Sequence, residues 1–424
     1  MAMQLPKNHK KRENNFQIDG FLDETLREGA ERCLFAVDED KKYELIKKLV
    51  DSGIRDIIIG SGPKDPSLIF KCLSAKHDFG KLPEDVNFAF ILLLNSWEPL
   101  YETFKSFPKE FLNDLTISFG MVEYQQEHQL FERVVEKFRK IGVTKFRASL
   151  LNNFSNGVDE DKYAQITHHI NRCVNEGFDT VRINDSLGTI YPEAMEVLSA
   201  NLVYDYPNLN FCLHAYNDRG LGLQNALISI YNGFNMIEGA VAGYGNRSGL
   251  PAIETLVRIF SEKNITIKNT NLDLEKLKEA AIRTDEIFMT VPNIYRPESG
   301  LVVNKENLGV LNIPDYLGVE RKTDYFLNKV GLHLGTVQKA LKSGGFSESL
   351  INNSDFIKEV REKVEEKMML IAAEKQSKFE GIVSEIYEFY STGVLGAKDI
   401  QEIAEQCALE KRTLEQKVFQ YSER

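Results

Sequence analysis

Short apolar runs and amphipathic segments alternate along about 250 residues of this chain. Each run is rich in Ile, Val and Phe and ends in polar or Gly residues, and the segment after it has apolar positions at helical spacing. The apolar runs predict strands over residues 20–25, 56–59, 88–94, 115–119, 145–150, 180–184, 210–214 and 236–242. The segments between them predict helices that begin near Asp38, Asp65, Trp97, Tyr124, Glu160, Pro192, Gly222 and Pro251.

Eight strands, each followed by a helix, are the number that a (β/α)8 barrel requires. A doubly wound sheet is the alternative, but such a sheet usually carries a Gly-rich phosphate-binding turn after its first strand. Neither a GxGxxG motif nor a P-loop occurs at that position. The pattern therefore predicts an α/β fold of the TIM-barrel class.

The alternation stops near Thr270, and the rest of the chain predicts an all-helical region. Its helices are expected over residues 271–289, 324–343, 355–393 and 397–422, with a loop region over 292–321. We therefore expect a polar, basic tail at 1–16, a catalytic barrel at 17–268 and a helical C-terminal region at 269–424. That last region would serve as a lid and in dimerisation.

The composition narrows the function classes. With 63 acidic and 52 basic side chains the net charge is −11, which disfavours nucleic acid and anionic membranes as partners. The longest apolar run, 88–94, is far shorter than the roughly 18 residues of a membrane helix. No apolar segment follows Met1, and the five cysteines are scattered without a CxxC pair. These features predict a soluble cytoplasmic protein.

The carboxyl ends of the barrel strands are where an active site is expected. Arg27 and Glu28 follow strand 1, while His214 and Tyr216 end strand 7 and share one face because side chains alternate. Glutamate and histidine around an open site suit a divalent metal, and a neighbouring arginine suits a developing oxyanion. The alternative is that these charges only pair with each other and that His214 is a core residue. Arg147 on strand 5 is a candidate for binding a substrate carboxylate if it faces inward.

Three motifs occur in order along the chain, namely Asp23-x-Thr-Leu-Arg-Glu-Gly, His214-x-x-Asn-Asp and Gly243-x-Gly-x-Arg-x-Gly. Together they resemble the metal-dependent acyl-CoA condensing barrels. This family comprises the 2-isopropylmalate, homocitrate and citramalate synthases, with HMG-CoA lyase as a more distant relative, and the Arg-Glu-Gly form is nearest to homocitrate synthases. The resemblance extends through Asp185-Ser-Leu-Gly and, beyond the barrel, Gly331-x-His-x-Gly, so it covers about residues 21–345.

The resemblance implies a Claisen-type condensation of acetyl-CoA with a 2-oxo acid, followed by thioester hydrolysis that releases CoA. It also implies a homodimer, an acyltransferase of amino-acid biosynthesis and a divalent ion, namely Mn²⁺, Mg²⁺ or Zn²⁺. The implied roles are metal ligation for Glu28 and His214, with Tyr216 at the third ligand position, oxyanion stabilisation for Arg27, and substrate binding for Ser186 and Asn246.

Four positions depart from the family pattern. Tyr216 replaces the second metal histidine, Asn246 replaces a glutamate, Ile58 stands at an acidic position, and residues 297–302 lack two histidines of the synthases. At neutral pH a phenol is a poorer metal ligand than imidazole. Three hypotheses follow: a condensing enzyme with a modified site, a paralogue that lost catalysis and acts as a binding or regulatory subunit, and a lyase or aldolase with the same metal chemistry.

Overall fold

A computed structural model describes residues 16–123, 129–152, 157–268, 270–310 and 324–422. The chain forms two compact units, Met1–Val303 and Asn304–Arg424. The first unit contains all the predicted strands and every predicted site residue. The second contains the long C-terminal helices.

Eight parallel strands form the centre of the first unit. Each strand from β1 to β6 pairs with the next along the chain, and β8 pairs with β1 through the register Leu22 to Glu238. Since β7 also lies beside β8, the sheet closes, and the predicted (β/α)8 barrel is confirmed. The strands are β1 (Gly20–Asp23), β2 (Asp56–Gly60), β3 (Asn87–Leu93), β4 (Thr116–Gly120), β5 (Lys145–Asn152), β6 (Thr180–Asp185), β7 (Asn210–Ala215) and β8 (Met236–Gly239).

Helices alternate with these strands, and a two-residue pair, Gln17–Ile18 with Thr266–Ile267, lies outside the barrel. The pattern missed two of the helices, α1 and α5, and the helix start predicted at Tyr124 lies outside the described residues. The helices of this unit are α1 (Thr25–Arg32), α2 (Glu39–Asp51), α3 (Asp65–His77), α4 (Trp97–Phe104), α5 (Lys109–Asp114), α6 (Leu130–Ile141), α7 (Glu160–Asn175), α8 (Pro192–Asp205), α9 (Gly222–Tyr231), α10 (Ile253–Lys263) and α11 (Leu274–Ile287).

The first strand is shorter than predicted, and this difference positions the site. The strand was expected to reach Thr25, but it ends at Asp23. The buried Asp23 carboxylate accepts hydrogen bonds from the Thr25 backbone N–H at 3.2 Å and from its hydroxyl at 2.6 Å. This local turn starts α1 at Thr25, so Arg27 and Glu28 lie on the first turns of a helix at the barrel mouth.

The barrel interior changes character along its axis. Near the amino ends of the strands an apolar plug fills it, formed by Leu22, Ile58, Ala89, Ile91, Cys212 and Met236. On three of these strands the next inward position toward the carboxyl end is polar, namely Glu24, His214 and Glu238. Phenylalanine rings pack together with aliphatic side chains in the layer between sheet and helices, where Phe119 contacts Phe131 and Phe138. The interior is therefore apolar near the amino ends of these strands and polar toward their carboxyl ends.

The second unit is mostly helical but begins with a small sheet. Lys305–Asn307 pairs in parallel with Asp324–Phe326, so the helix predicted from residue 324 begins only at Leu334. His333 caps that helix by accepting from the Thr336 N–H at 3.3 Å, which is a structural role. The helices are α12 (Leu334–Ser343), α13 (Glu348–Ile351), α14 (Ser354–Ser391) and α15 (Ala397–Ser422). In the described part of the chain, no helix combines the length and apolarity needed to cross a bilayer.

The close packing of α1 gives the first prediction. A Cβ atom added at Gly29 would lie 2.5 Å from two carbons of the buried Phe288 ring. We expect Gly29→Ala to lower the free energy of unfolding by about 1–3 kcal/mol through overpacking. Gly381→Ala is the control, since its Cβ meets nothing within 4 Å and alanine favours a helix by about 1 kcal/mol. Urea unfolding measures both, and a Gly29→Ala protein as stable as wild type would contradict this packing.

Candidate active site

A charged layer fills the upper part of the barrel interior. Arg182 on β6, His214 on β7 and Glu238 on β8 occupy inward positions of their strands, and Glu24 follows β1. Each of these four residues is at most 2% exposed. Because charges this deep are costly without partners, their mutual contacts decide whether the layer is stable.

Arg182 lies at the centre of this layer. Its Nε and Nη2 atoms donate to the two oxygens of Glu238 at 2.8 and 2.7 Å, Nη2 also donates to Glu24, and Nη1 donates to the Ser149 hydroxyl at 2.7 Å. Burial opposes the charge of Glu238, but Arg182 and His214 outweigh it and hold the pKa of that carboxyl far below its ordinary value. Glu238 is therefore ionised. Burial raises the pKa of Glu24.

His214 connects the inner layer to the barrel mouth. Its Nδ1 atom contacts the ionised Glu238 carboxylate, so Nδ1 carries the proton. Arg182 Nη2 lies 3.0 Å from the same atom, but a guanidinium only donates and cannot take that proton. In this tautomer the free nitrogen of a neutral imidazole is Nε2, and that atom lies 3.6 Å from Oε1 of Glu28. A carboxylate behind a histidine is the arrangement that orients histidine metal ligands.

Glu28 is fully buried and holds several donors at the mouth. Its Oε1 atom accepts from the Tyr216 hydroxyl at 2.7 Å and from Arg27, and its Oε2 atom accepts from the Asn246 backbone N–H at 2.8 Å. Burial opposes the charge, but Arg27 and His214 outweigh it and lower the pKa of Glu28. Arg27 also contacts Glu24 at 2.5 Å, so it links the mouth to the inner layer.

Two positions in this site fit ligands of a divalent cation. The ligand atoms of Glu24, His214 and Glu238 all lie within 4.8 Å of one another, which is consistent with a metal site. Glu28 Oε1 and His214 Nε2, 3.6 Å apart, also have a spacing that suits two ligands of one ion with bonds of about 2.0–2.2 Å. The residues of this chain therefore fit a metal.

Tyr216 is beside the outer of these positions as a hydrogen-bond donor. Its burial, together with the neighbouring Glu28 carboxylate, raises the pKa of the phenol above its ordinary value. The hydroxyl therefore keeps its proton and donates a hydrogen bond to Glu28. The geometry brings Glu28, His214 and Tyr216 together, and their roles as metal ligands stay a prediction.

The other predicted residues have different surroundings. Arg147 points inward, but it forms an ion pair with Asp56, the first residue of β2, and so lies near the amino ends of the strands. The buried Ser186 hydroxyl has no hydrogen-bond partner among the described residues. The Asn246 side chain donates to Glu31 at 2.5 Å.

Sequence reasoning missed Glu24, Arg182 and Glu238. The period-two alternation of strands carried a signal for two of them, because Arg182 shares its strand face with Asn184, and Glu238 shares its face with Met236. Charged residues at the middle of otherwise apolar strands are unusual unless they are paired inside a barrel. Glu24 gave no comparable signal, since it lies in the turn between β1 and α1.

The loop after β8 is built on positive backbone angles. Gly245 has φ +157° and Gly249 has φ +77°, while Arg247 adopts φ +54° although it carries a side chain. A Cβ atom on Gly245 would lie 2.9 Å from Glu28 Oε2, and one on Gly249 would lie 1.9 Å from the Gly243 carbonyl oxygen. Glycines at these positions allow the backbone to reach Glu28.

A cavity of about 320 Å³ lies beside this loop. Three guanidinium groups are among its lining residues: Arg247 is bound to Asp218, Arg296 pairs with Asp285 through two contacts of 3.1 and 3.0 Å, and Arg32 lies over the Tyr244 ring. Two of these three guanidinium groups are neutralised by a carboxylate, and Arg32 is the positive charge of this lining without a described carboxylate partner.

Residues 115–282 match the HMGL-like family. Homocitrate synthase AksA of Methanothermobacter thermautotrophicus is 26% identical in an alignment of 333 residues that covers 71% of this chain and 78% of that protein. The homocitrate synthase of Sulfolobus acidocaldarius is 24% identical over 329 residues, covering 73% of this chain and 68% of that protein. The matched range 115–282 includes Arg182, His214 and Glu238.

Two solved structures share the fold at low identity. The HMG-CoA lyase of Bacillus subtilis aligns with a TM-score of 0.51 at 18% identity, covering 66% of this chain and 96% of that one. The hydroxymethylglutaryl-CoA lyase of Pseudomonas aeruginosa aligns with a TM-score of 0.51 at 17% identity, covering 68% and 99%. Both alignments agree with the barrel architecture.

Glu238 gives a prediction on stability. We expect Glu238→Gln to lower the free energy of unfolding by about 3–5 kcal/mol, because it leaves buried Arg182 with one anionic partner fewer. The pKa of Glu238 is below its ordinary 4.5, so its stabilisation is present above that pH and is lost as the pH falls through the folded value. The difference between variant and wild type should therefore shrink in acid.

Urea unfolding at about pH 7 and about pH 3 measures this difference. Glu359→Gln is the matched control, because Glu359 forms an exposed ion pair with Lys363 on α14, and exposed pairs of this kind contribute little to stability. A Glu238→Gln protein as stable as the Glu359→Gln protein at neutral pH would show that the inner layer is not held by these charges.

Proposed function

Because this chain is a member of the HMGL-like enzyme family and a distant homologue of homocitrate synthases, we propose that it joins an acyl-CoA to a 2-oxo acid with the help of a divalent metal. Acetyl-CoA is the proposed acyl donor, and thioester hydrolysis releases CoA. The observation that supports this proposal is the series of contacts from Glu238 through His214 to Glu28. It places the His214 Nε2 atom and an ionised carboxylate at one point of the barrel mouth.

Glu28 and His214 Nε2 are the proposed ligands of that metal, Mn²⁺, Mg²⁺ or Zn²⁺, at the outer position. A bound divalent ion would polarise the keto group of the oxo acid as a Lewis acid. Arg27 is permanently charged, is held by Glu24 and Glu28, and is proposed to stabilise negative charge on the keto oxygen.

Tyr216 is the proposed source of a proton at this site. The synthases of this kind use a histidine that residues 297–302 lack, so another group must hold the proton. Tyr216 keeps its hydroxyl proton at neutral pH and places it 2.7 Å from Glu28. Tyr244, another phenol of the mouth, is instead bound to Asp285 at 3.0 Å.

An unpaired hydroxyl group and positive charge support anionic substrates. The Ser186 hydroxyl is buried at the carboxyl end of β6 without a partner among the described residues, so it is available to donate to a ligand. The adjoining cavity offers the Arg32 guanidinium group, while Arg247 is paired with Asp218. An oxo-acid carboxylate at Ser186 and Asn246, with CoA phosphates near the arginines, is consistent with this distribution. Arg147, paired with Asp56, is a weaker candidate for carboxylate binding.

A second candidate function is binding without turnover. All the donors that surround Glu28, namely Arg27, Tyr216 and the Asn246 N–H, already satisfy both of its oxygens. A carboxylate satisfied by the protein alone has less to gain from a metal. The same contacts therefore also suit a paralogue that retains the fold and binds a ligand or partner as a regulatory subunit.

Thiol release tests the proposed function. Purified protein with acetyl-CoA, a panel of 2-oxo acids and Mn²⁺ or Mg²⁺ should release CoA, and chelation should stop the release. We expect Glu28→Ala to reduce the rate by at least about 100-fold, because it removes a proposed metal ligand. Asp40→Ala, at an exposed acid of α2, is the control and should retain the full rate.

Each outcome of that assay distinguishes the candidates. Release that continues without metal or in Glu28→Ala would contradict the metal-assisted mechanism. Metal binding without any turnover would favour the second candidate. Cleavage of a carbon–carbon bond without net CoA release would instead identify a lyase or aldolase with the same site.

We further propose that the chain is a homodimer. On α14 the exposed side chains of Ile371, Phe379 and Ile382 lie within one broad helical face, because their spacings of 8 and 3 residues correspond to nearly whole turns. On α15 Ile400 and Ile403 are also exposed. Apolar side chains gathered on long helices mark association surfaces, and a second copy of the chain would cover them.

Light scattering after gel filtration tests the dimer. Wild type should have twice the chain mass of 48.4 kDa, and Ile371→Glu/Ile382→Glu should shift toward the monomer mass. Lys367→Glu is the control at an exposed polar position of the same helix and should remain dimeric. A wild-type monomer at all concentrations would contradict the dimer.

A further inference from the structure

Glu24, His214 and Glu238, the inner group of possible metal ligands, already surround a positive charge that belongs to the chain itself. Glu24, His214 and Glu238 come close enough to bind one cation, yet the Arg182 guanidinium donates to both carboxylates and lies 3.0 Å from His214 Nδ1. Those contacts are made by Nη2. The Nε atom donates to Glu238 at 2.8 Å, and the Nη1 atom donates to the Ser149 hydroxyl at 2.7 Å. Every nitrogen of the guanidinium is thereby used inside the barrel.

A metal ion cannot share this position with Arg182. Both are cations, and in a buried site their repulsion at contact distance is much stronger than in water. An ion would also have to take the carboxylate oxygens that now accept hydrogen bonds from Arg182. The guanidinium itself stays charged in the interior, since its two carboxylate partners oppose the effect of burial.

We propose that Arg182 is the resident cation of the inner group, and that Glu24, His214 and Glu238 form a latent divalent-metal site that opens only when Arg182 is removed. The inner charges then orient His214 toward the mouth without competing for the catalytic ion. This inference goes beyond the proposed function and does not require turnover. It rests on the proposed function in one respect only, which is that Glu28 and His214 Nε2 bind the metal ion used in catalysis.

A second buried arginine provides a comparison within the same barrel. Arg147 on β5 also points inward and also pairs with a carboxylate, that of Asp56. Near Asp56 the other side-chain partner is the Asn87 amide, not a histidine or a second carboxylate. Removing Arg147 therefore leaves one carboxylate, which is not a ligand set for a divalent ion.

Mn²⁺ binding to the full-length protein tests the inference, with the ion alone as the probe. Calorimetry and the free-Mn²⁺ electron paramagnetic resonance signal report the number of ions bound. All variants carry Glu28→Gln, which removes the proposed outer site. We expect no ion in Glu28→Gln alone, one ion per chain after adding Arg182→Met, and none after adding Glu238→Gln as a third change. Adding Arg182→Lys, which keeps the charge, or Arg147→Met should give no ion.

A folded Arg182→Met/Glu28→Gln protein that binds no Mn²⁺ would overturn the inference. So would an ion in Glu28→Gln alone that Glu238→Gln removes, because that ion would have entered beside Arg182. If wild type binds no Mn²⁺, the proposed function fails. Mn²⁺ binding by the Arg182→Met/Glu28→Gln protein still tests the latent site in that case. If the Arg182→Met/Glu28→Gln protein does not fold without metal, it is refolded with Mn²⁺. Recovery of native circular dichroism in that protein but not in the Arg182→Met/Glu28→Gln/Glu238→Gln protein would support the latent site, and recovery in neither would overturn it.

Discussion

The buried ion pairs of Arg182 with Glu24 and Glu238 are the interaction on which the upper half of this barrel depends. They join β6 to β8 and to the turn after β1, at a depth where water does not reach. An unpaired charge at that depth is strongly destabilising, so the three residues must be present together. Ion pairs of this kind contribute less to net stability than to the choice of one arrangement, because hydrophobic side chains of similar volume would also fill the space.

This inner network also determines the geometry at the mouth. Glu238 holds the proton on His214 Nδ1, which leaves Nε2 facing Glu28. Glu28 is in turn bound by the Asn246 N–H of the loop after β8, and that loop reaches it only because Gly245 and Gly249 adopt positive φ. A chain of contacts thus runs from the centre of the barrel to a surface loop. A change at any member alters the site without touching a substrate.

The carboxylates of this site share one electrostatic feature. The carboxylates of Glu24, Glu28 and Glu238 each contact an arginine of the same chain. The negative charge that a divalent ion would neutralise is therefore already partly compensated. Such compensation weakens metal binding relative to an uncompensated site, and it leaves Arg27 held rigidly where negative charge develops.

Much of this structure follows from local sequence, and the rest depends on the closed barrel. Hydrophobic periodicity located all eight strands and most helices, because each element must bury one face. Alternation along β7 also placed His214 and Tyr216 on a shared face, and the rule that sites lie at the carboxyl ends brought Glu28 to them. Hydrophobic periodicity shows which face of a helix or strand is buried. It contains no information on how deeply a side chain lies or on which residue it contacts. Arg147 and Arg182 both face inward, yet only the register of the closed sheet sets one against Asp56 and the other against residues 158 and 56 positions away in the chain. The tertiary structure alone therefore decided which charges meet, and with them where a metal ion can bind.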